Sequence, residues 1–211
     1  MPTLPLRRRA LVRLGVRLAL VCLAAAPMPP RAADSAVIAT IQQLYDALLA
    51  VMKAGHAPFA QRFDQLAPVI DAVFDLPAIL QASVGPSWDA LSADQHSALL
   101  TAFRRYTVAT YVANFDSFDG QRFEVSPDPR ALPNNEQVVT SHIIAASGDS
   151  HRLDYVMRQV NGPWQVVDVL LDGTISRVAV QRSDFRHLLT QGGSAALVVS
   201  LQSKAAQLSG G

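Results

Sequence analysis

The sequence predicts an α+β fold, with helices in the first half and an antiparallel sheet after them. Up to Gly120, apolar residues recur every three or four positions, which is the period of an amphipathic helix. After Gly120 the period shortens to two, as in strands that bury one face. Turn residues, above all Asn161-Gly162, separate the later apolar runs and are typical of hairpins. Four antiparallel strands are therefore expected to follow the helical half.

The longest uninterrupted helical pattern lies between Ser92 and Gly120, with neither Pro nor Gly inside it. Ser92 and Gln95 form a capping-box pattern, in which each side chain satisfies a free backbone N–H of the other residue. The helix carries two apolar stripes: Leu99, Phe103, Tyr106, Thr110 and Ala113, and Leu100, Thr107, Tyr111, Phe115 and Phe118. Two stripes predict that its C-terminal half is covered on two sides. Such a helix is either the spine of a core or the wall of an apolar cavity.

The other helices are bounded by capping and helix-breaking residues. On the N-terminal side the predicted helices span 35–55 and then begin at Pro58, Pro68 and Pro77, the last of them ending at Gly85-Pro86. On the C-terminal side, Ser183 or a nearby residue is predicted to cap a short helix that Gly192-Gly193 breaks, and Ser194 to cap the final one. The first half thus consists of helices of decreasing length that wrap around a common centre.

The four predicted strands are residues 121–126, 136–146, 152–160 and 164–171. The last of these is apolar on both faces, which predicts a central strand or one covered on both sides. Residues 172–176 are expected to form a turn.

The formal net charge of +1 conceals an uneven distribution along the chain. The first 33 residues contain no acid and six arginines, namely Arg7, Arg8, Arg9, Arg13, Arg17 and Arg31. Without them the chain has 12 basic and 17 acidic residues, a net charge of −5. This balance argues against nucleic acid and against electrostatic docking on anionic lipid surfaces.

The cationic start is followed by a clean apolar run over residues 18–26, far shorter than the ~20 residues that span a bilayer. Residues 1–33 are therefore predicted to be a secretory signal peptide and linker, cleaved between Ala25 and Asp34; an uncleaved membrane anchor is the alternative. The single cysteine, Cys22, lies inside this segment. The mature domain, 34–211, then has no thiol for disulfides, catalysis or metal binding.

No catalytic set emerges from the titratable residues, and no metal or cofactor is predicted. The five histidines, His56, His96, His142, His151 and His187, lack the spacing of a helical metal site. Asp168 is the one acid in the apolar run 166–170. It is interpreted as structural, capping a neighbouring helix or pairing with Arg177 or Arg182; a catalytic base is the alternative.

Several short segments between residues 62 and 201 form a recognisable series: Arg62-Phe63, Phe74-Asp75, Val84-Gly85 with Trp88, Phe103 with Tyr106 and Tyr111, residues 164–169, Gly173 with Ser176, Arg182 with Phe185, and Leu197 with Leu201. In this order and spacing they resemble the MlaC family of periplasmic lipid carriers. The amino-acid sequences of residues 106–118 and 174–185 are more similar to the hopanoid-associated HpnM branch of the family.

The resemblance implies an NTF2-like α+β fold, in which a curved four-stranded antiparallel sheet and several helices enclose an apolar cavity. It also implies a soluble, monomeric carrier that moves a phospholipid or hopanoid between an inner-membrane transporter component and an outer-membrane lipid-handling protein, without catalysis or nucleic acid. Lipid tails are expected against Phe74, Leu80, Trp88, Phe103, Tyr106, Tyr111, Phe115, Tyr155 and Val166.

Two other classes of function stay open at this point. One is a small NTF2-like enzyme, an isomerase or hydratase, with Asp168 as base and a tyrosine as proton donor. The other is an assembly factor of a membrane-lipid complex that binds no ligand.

Overall fold

The computed structural model describes residues 32–159 and 161–210; the predicted signal peptide, up to residue 31, lies outside them. The helices are α1 (Ala32–Lys53), α2 (Phe59–Val73), α3 (Leu76–Val84), a 3-10 helix (Gly85–Ala90), α4 (Ala93–Asn114) and α5 (Arg177–Leu208). The strands are β1 (Arg122–Val125), β2 (Arg130–Leu132), β3 (Glu136–Ile144), β4 (Ser150–Gln159), β5 (Trp164–Leu171) and β6 (Ile175–Ser176). The α+β class is therefore confirmed.

The described strands form one antiparallel sheet of six strands in the order β1-β3-β4-β5-β6, with β2 also paired to β3. The prediction of four strands is wrong, because β2 and β6 are too short to show a period. β1 pairs with the end of β3, and β2 pairs with its beginning, so the two lie end to end along one edge. Pro127 and Pro129 lie between them, where they interrupt the pairing because proline has no N–H to donate.

A bulge in β5 breaks the alternation of side chains in the centre of the sheet. Met157 of β4 pairs with Val166, whereas the preceding residue, Val156, pairs with Asp168. Val167 is therefore the extra residue, and Val166 and Asp168 do not share a face as a regular strand would require.

Helix α1 supplies a large part of the core. Val37, Ile41, Leu44 and Leu48 are fully buried. Among the described helices, this is the one whose residues Asp34–Lys53 are long and apolar enough to cross a membrane by composition. Its buried face identifies it as a core helix of the fold. Core helices of this length can also meet the length and composition criterion for a membrane span.

Helix α2 is continuous through Pro68, so the prediction that Pro68 begins a separate helix is wrong. A proline in a helix interior removes one hydrogen bond and costs ~3 kcal/mol. Leu66 and Ile70, on either side of the proline, are fully buried, as is Val73 at the helix end. Burial of this apolar face offsets the cost and keeps the helix in one piece.

Helix α4 has the predicted capping box, with both hydrogen bonds formed between Ser92 and Gln95. It ends at Asn114, earlier than expected. The side-chain nitrogen of Gln95 also donates to Ser194 Oγ at 2.9 Å, which ties the start of α4 to the second half of α5.

Helix α5 begins at Arg177 with Ser176 as its N-cap, so the prediction of a start at Ser183 is wrong. The predicted break is present: the backbone leaves helical geometry at Gly192 and Gly193. The early start brings the first turns of α5 beside β5 and α4.

Candidate functional site

An apolar cavity of about 330 Å³ lies between α3, α4, the first turns of α5 and one face of the sheet. Its lining residues are Phe74, Leu76, Ile79, Phe103, Tyr106, Thr107, Thr110, Tyr111, Asn114, Phe115, Ile143, Leu153, Tyr155, Asp168, Val169, Leu171, Arg177, Val178 and Gln181. The volume is at the lower end of the ~300–1,000 Å³ typical of small-molecule sites.

Aromatic rings form much of the wall that α4 contributes. The ring centroids of Phe74 and Tyr111 are 5.4 Å apart, and those of Tyr111 and Phe115 are 6.1 Å apart in a stacked arrangement. Phe103 contacts Phe185 edge-on, with centroids 6.3 Å apart. Such pairs stabilise by about 0.5–1.5 kcal/mol each beyond their burial, so the wall is held in place by its own contacts.

The structure brings six of the nine residues expected to contact lipid together on this cavity: Phe74, Phe103, Tyr106, Tyr111, Phe115 and Tyr155. The other three do not line it. Leu80 and Val166 are fully buried within the core, and Val166 also forms an isolated bridge with Phe74. Trp88 lies in the 3-10 helix, where its ring stacks on His96 with centroids 4.0 Å apart. Contact with lipid stays a prediction for every one of the nine.

Several lining residues were not anticipated, among them a polar group at one side of the cavity. Thr107 and Asn114 flank Tyr111 at helical spacings of four and three, a signal that the sequence does contain. Arg177 and Gln181, one turn apart on α5, gave no such signal because residue 177 was expected between a turn and a later helix.

A chain of buried hydroxyl groups extends from Tyr155, which lines the cavity, into the core. Tyr45 Oη lies 3.0 Å from Tyr155 Oη and also forms a hydrogen bond with Ser141 Oγ, which donates to the carbonyl of Leu153 at 3.2 Å. Each hydroxyl has one proton, so Tyr155 donates to Tyr45 and Tyr45 to Ser141.

Burial raises the pKa values of Tyr45, Tyr111 and Tyr155 above that of an exposed tyrosine. All three therefore stay neutral phenols at physiological pH. The cavity wall is therefore uncharged at Tyr111 and Tyr155 and can accept an apolar chain.

Asp168 holds the N-terminus of α5. Its Oδ1 accepts hydrogen bonds from the backbone N–H of Val169 at 2.8 Å and of Val178 at 3.1 Å, and its Oδ2 accepts from Ser176 Oγ. Ser176 Oγ in turn accepts from the N–H of Ala179 at 3.0 Å. A carboxylate at a helix N-terminus also interacts favourably with the helix dipole.

The ion pairs formed by the described residues do not include Asp168. Arg182, one of its two expected partners, instead donates from Nε to the carbonyl of Ala82 at 2.8 Å. Within the described part of the chain, no cluster of three or more His, Cys, Asp or Glu residues is placed to hold a metal ion.

The family model described as "MlaC protein" matches residues 42–203. The fold is also similar to that of a solved phospholipid-binding protein from Ralstonia solanacearum, determined in complex with a phospholipid. The two sequences are 22% identical, the match covers 82% of this chain and 98% of the other, and the TM-score is 0.71. No curated protein sequence matches the chain. At this identity the structural likeness shows a shared fold.

Proposed function

Because the chain belongs to the MlaC family, we propose that it is a periplasmic carrier that binds a membrane lipid in the cavity between α4 and the sheet. The observation that carries this proposal is the cavity itself, which is lined mainly by aromatic and aliphatic side chains with a smaller number of polar groups. The family and the phospholipid-bound neighbour support lipid binding and transport.

The lipid tails would lie against the aromatic wall, on Phe103, Tyr106, Tyr111, Phe115 and Tyr155. Two acyl chains need more space than about 330 Å³, so the cavity has to widen when lipid enters. The junction of α2 and α3 is attached to β5, since the N–H of Asp75 donates to the carbonyl of Val166 at 3.0 Å. The other end of α3 is tied to α5, where Arg182 Nε donates to the carbonyl of Ala82 at 2.8 Å and Ser83 Oγ donates to Gln181 Oε1 at 3.1 Å.

That end is terminated by Gly85, whose φ of 68° favours glycine, and is followed by the 3-10 helix. In this proposal the cavity widens when these two contacts with α5 break and α3 separates from α5, while the sheet stays intact.

The same geometry argues against the enzymatic alternative. A catalytic base needs an oxygen directed at its substrate, whereas both oxygens of Asp168 accept hydrogen bonds at the start of α5. We propose that Asp168 is structural. The family and the phospholipid-binding neighbour likewise indicate a binding or transport protein.

We also propose that residues 1–33 are a signal peptide and linker, and that 34–211 form a monomeric NTF2-like domain working in the periplasm. There it would exchange a phospholipid, or a hopanoid as in the HpnM branch, between an inner-membrane transporter component and an outer-membrane lipid-handling protein. Mass spectrometry of the mature protein tests export, because an intact Met1 would instead indicate an N-terminal anchor.

The experiment that tests the function is organic extraction of natively purified protein, followed by mass spectrometry of the extract. A carrier is expected to yield a phospholipid or a hopanoid in a fixed ratio to protein. An assembly factor or an enzyme would yield no retained lipid, and added lipid would not bind.

A further inference from the structure

Arg177 is a half-buried cation on the wall of an otherwise largely apolar cavity. Other arginines nearby have partners: Arg62 donates to the carbonyl of Val112, and Arg182 to that of Ala82. The three ion pairs among the described residues join Arg104 to Asp71, Arg152 to Asp154 and Arg158 to Glu136. None of these involves Arg177, although removing a guanidinium from water without a counter-ion is unfavourable.

Among the described residues, the one acid that borders the same cavity, Asp168, does not neutralise Arg177 by contact. The oxygens of Asp168 accept from Val169, Val178 and Ser176, and within the described residues no ion pair of 4.0 Å or less joins it to Arg177. The side-chain N–H groups of Arg177 are therefore available to donate hydrogen bonds to a ligand.

The position of Arg177 relative to the rest of the cavity indicates which part of a ligand it would meet. The residues Phe103 and Tyr155 are each 1% exposed, so they line the part of the cavity that solvent does not reach. Asn114 is exposed, and Arg177 and Gln181 are half-buried, so these polar side chains border the part of the cavity that solvent reaches. An amphiphile that inserts its tail among the aromatic rings would leave its headgroup beside Arg177. A guanidinium binds the oxygens of phosphate or carboxylate in a bidentate geometry.

Building on the proposed function, we propose that Arg177 is a specificity-determining residue that selects lipids with an anionic headgroup. The shared chemistry is an oxyanion next to an apolar chain, supplied either by the phosphate of an acidic phospholipid or by the carboxylate of a fatty acid. Lipids without such a group would bind through their tails alone and more weakly.

The test measures dissociation constants of the delipidated full-length mature protein for four probes with oleoyl chains. These are dioleoylphosphatidylglycerol, dioleoylphosphatidylcholine, dioleoylglycerol and oleate. The variants are Arg177→Gln, which removes the charge, and Arg177→Lys, which keeps the charge but loses the planar fork. Arg186→Gln is the matched control, because Arg186 is exposed on the same helix and does not line the cavity.

We expect Arg177→Gln to weaken binding of the anionic probes by ~10-fold or more, the scale of a hydrogen bond to a charged group. Binding of dioleoylglycerol should change by less than about twofold, and Arg177→Lys should recover part of the loss. Loss for both phospholipids but not for oleate identifies phosphate as the ligand, because phosphatidylcholine carries the same phosphodiester, and loss confined to oleate identifies carboxylate. Wild-type affinity for the anionic probes should also fall as salt rises, a measurement that needs no variant.

Two outcomes separate this inference from the carrier function. If the wild type binds the probes but Arg177→Gln weakens all of them equally, or none, the role of Arg177 is overturned and the carrier function stands. If the wild type binds none of the four probes, both proposals are overturned. Thermal melting of each variant shows whether a loss of binding comes from loss of the fold; in that case Arg177→Lys and the salt series decide.

Discussion

Removing the bound lipid is expected to destabilise the protein strongly. The cavity has a volume of about 330 Å³. Apolar cavities made in well-packed cores cost ~24 cal/mol per Å³, so a rigid, empty cavity of this size would cost roughly 8 kcal/mol if it were enclosed, and less where solvent enters beside the exposed Asn114. The whole stability of a domain is only ~5–15 kcal/mol. The lipid-free protein must therefore contract around the cavity or lose much of its stability.

The assay compares the melting temperature of the protein as purified, after delipidation, and after lipid is added back. A ligand at one hundred times its dissociation constant stabilises the folded state by ~2.7 kcal/mol. In a domain of this size each kcal/mol moves the melting temperature by ~2–4 °C, which gives an expected increase of roughly 5–11 °C on reloading. If delipidation leaves the melting temperature unchanged and added lipid does not raise it, the aromatic residues of α4 are core packing and the reasoning is refuted.

Three substitutions test the site and its surroundings. Tyr111→Asp places a charge on the aromatic wall and should reduce bound lipid while the domain still folds. The matched control is Thr101→Asp, at an exposed position of the same helix, which should leave lipid content unchanged. Organic extraction of both variants measures the bound lipid. Asp168→Asn should lower the melting temperature by a few degrees, in line with ~1–3 kcal/mol for disturbing the hydrogen bonds that Asp168 accepts. Lipid binding should stay nearly intact. Unchanged stability together with loss of a measurable turnover would instead favour an enzyme. Asp154→Asn should lower the melting temperature of the protein at neutral pH. The difference in melting temperature from wild type should disappear as the pH falls below about 4, and melting curves from pH 7 to pH 2 measure it.

The sign of the Asp154 effect follows from its surroundings. Burial opposes ionisation of this carboxyl, but hydrogen bonds from Arg152 and Thr140, with the charge of Arg152, outweigh it and lower the pKa of Asp154. A lowered folded-state pKa contributes stability above the unfolded value, and this contribution is lost as the pH falls through the folded value. A difference between Asp154→Asn and wild type that persists below the folded pKa would contradict this explanation.

Local sequence signals were sufficient where the physics is local. The capping box of Ser92 and Gln95 fixes the start of α4, and the turn at Asn161-Gly162 fixes the register of β4 and β5. The break at Gly192 and Gly193 follows from the conformational freedom of glycine. These features depend on a few neighbouring residues, and all three are present in the structure.

Other features depend on contacts that no local pattern reports. Helix α2 continues through Pro68 because tertiary burial outweighs the lost hydrogen bond. The bulge at Val167 changes which face of the sheet each residue of β5 occupies, so alternation alone assigns that face incorrectly. Ser176 caps α5 only because Asp168, on a neighbouring strand, holds its hydroxyl in place.

The candidate site divides in the same way. The aromatic residues of α4 could be found from helical spacing, since Phe103, Tyr106 and Tyr111 repeat at intervals that place them on a shared surface. Leu80 was assigned with them from its apolar character and its inferred inner face, which do not distinguish a cavity wall from a solid core. Arg177 was missed as a cavity residue because its place depends on where α5 begins.

Photo-crosslinking tests the central claim, that lipid occupies the cavity between α4 and the sheet, most directly. The probe is a phospholipid with a diazirine near the end of one acyl chain, loaded onto the delipidated protein, irradiated and mapped by tryptic peptide mass spectrometry. Label is expected on peptides 106–122 and 153–158, which contain Tyr111, Phe115 and Tyr155. Label confined to peptide 187–204, which contributes to the shallow outer groove at Ala195 and Val199 on α5, would contradict the claim.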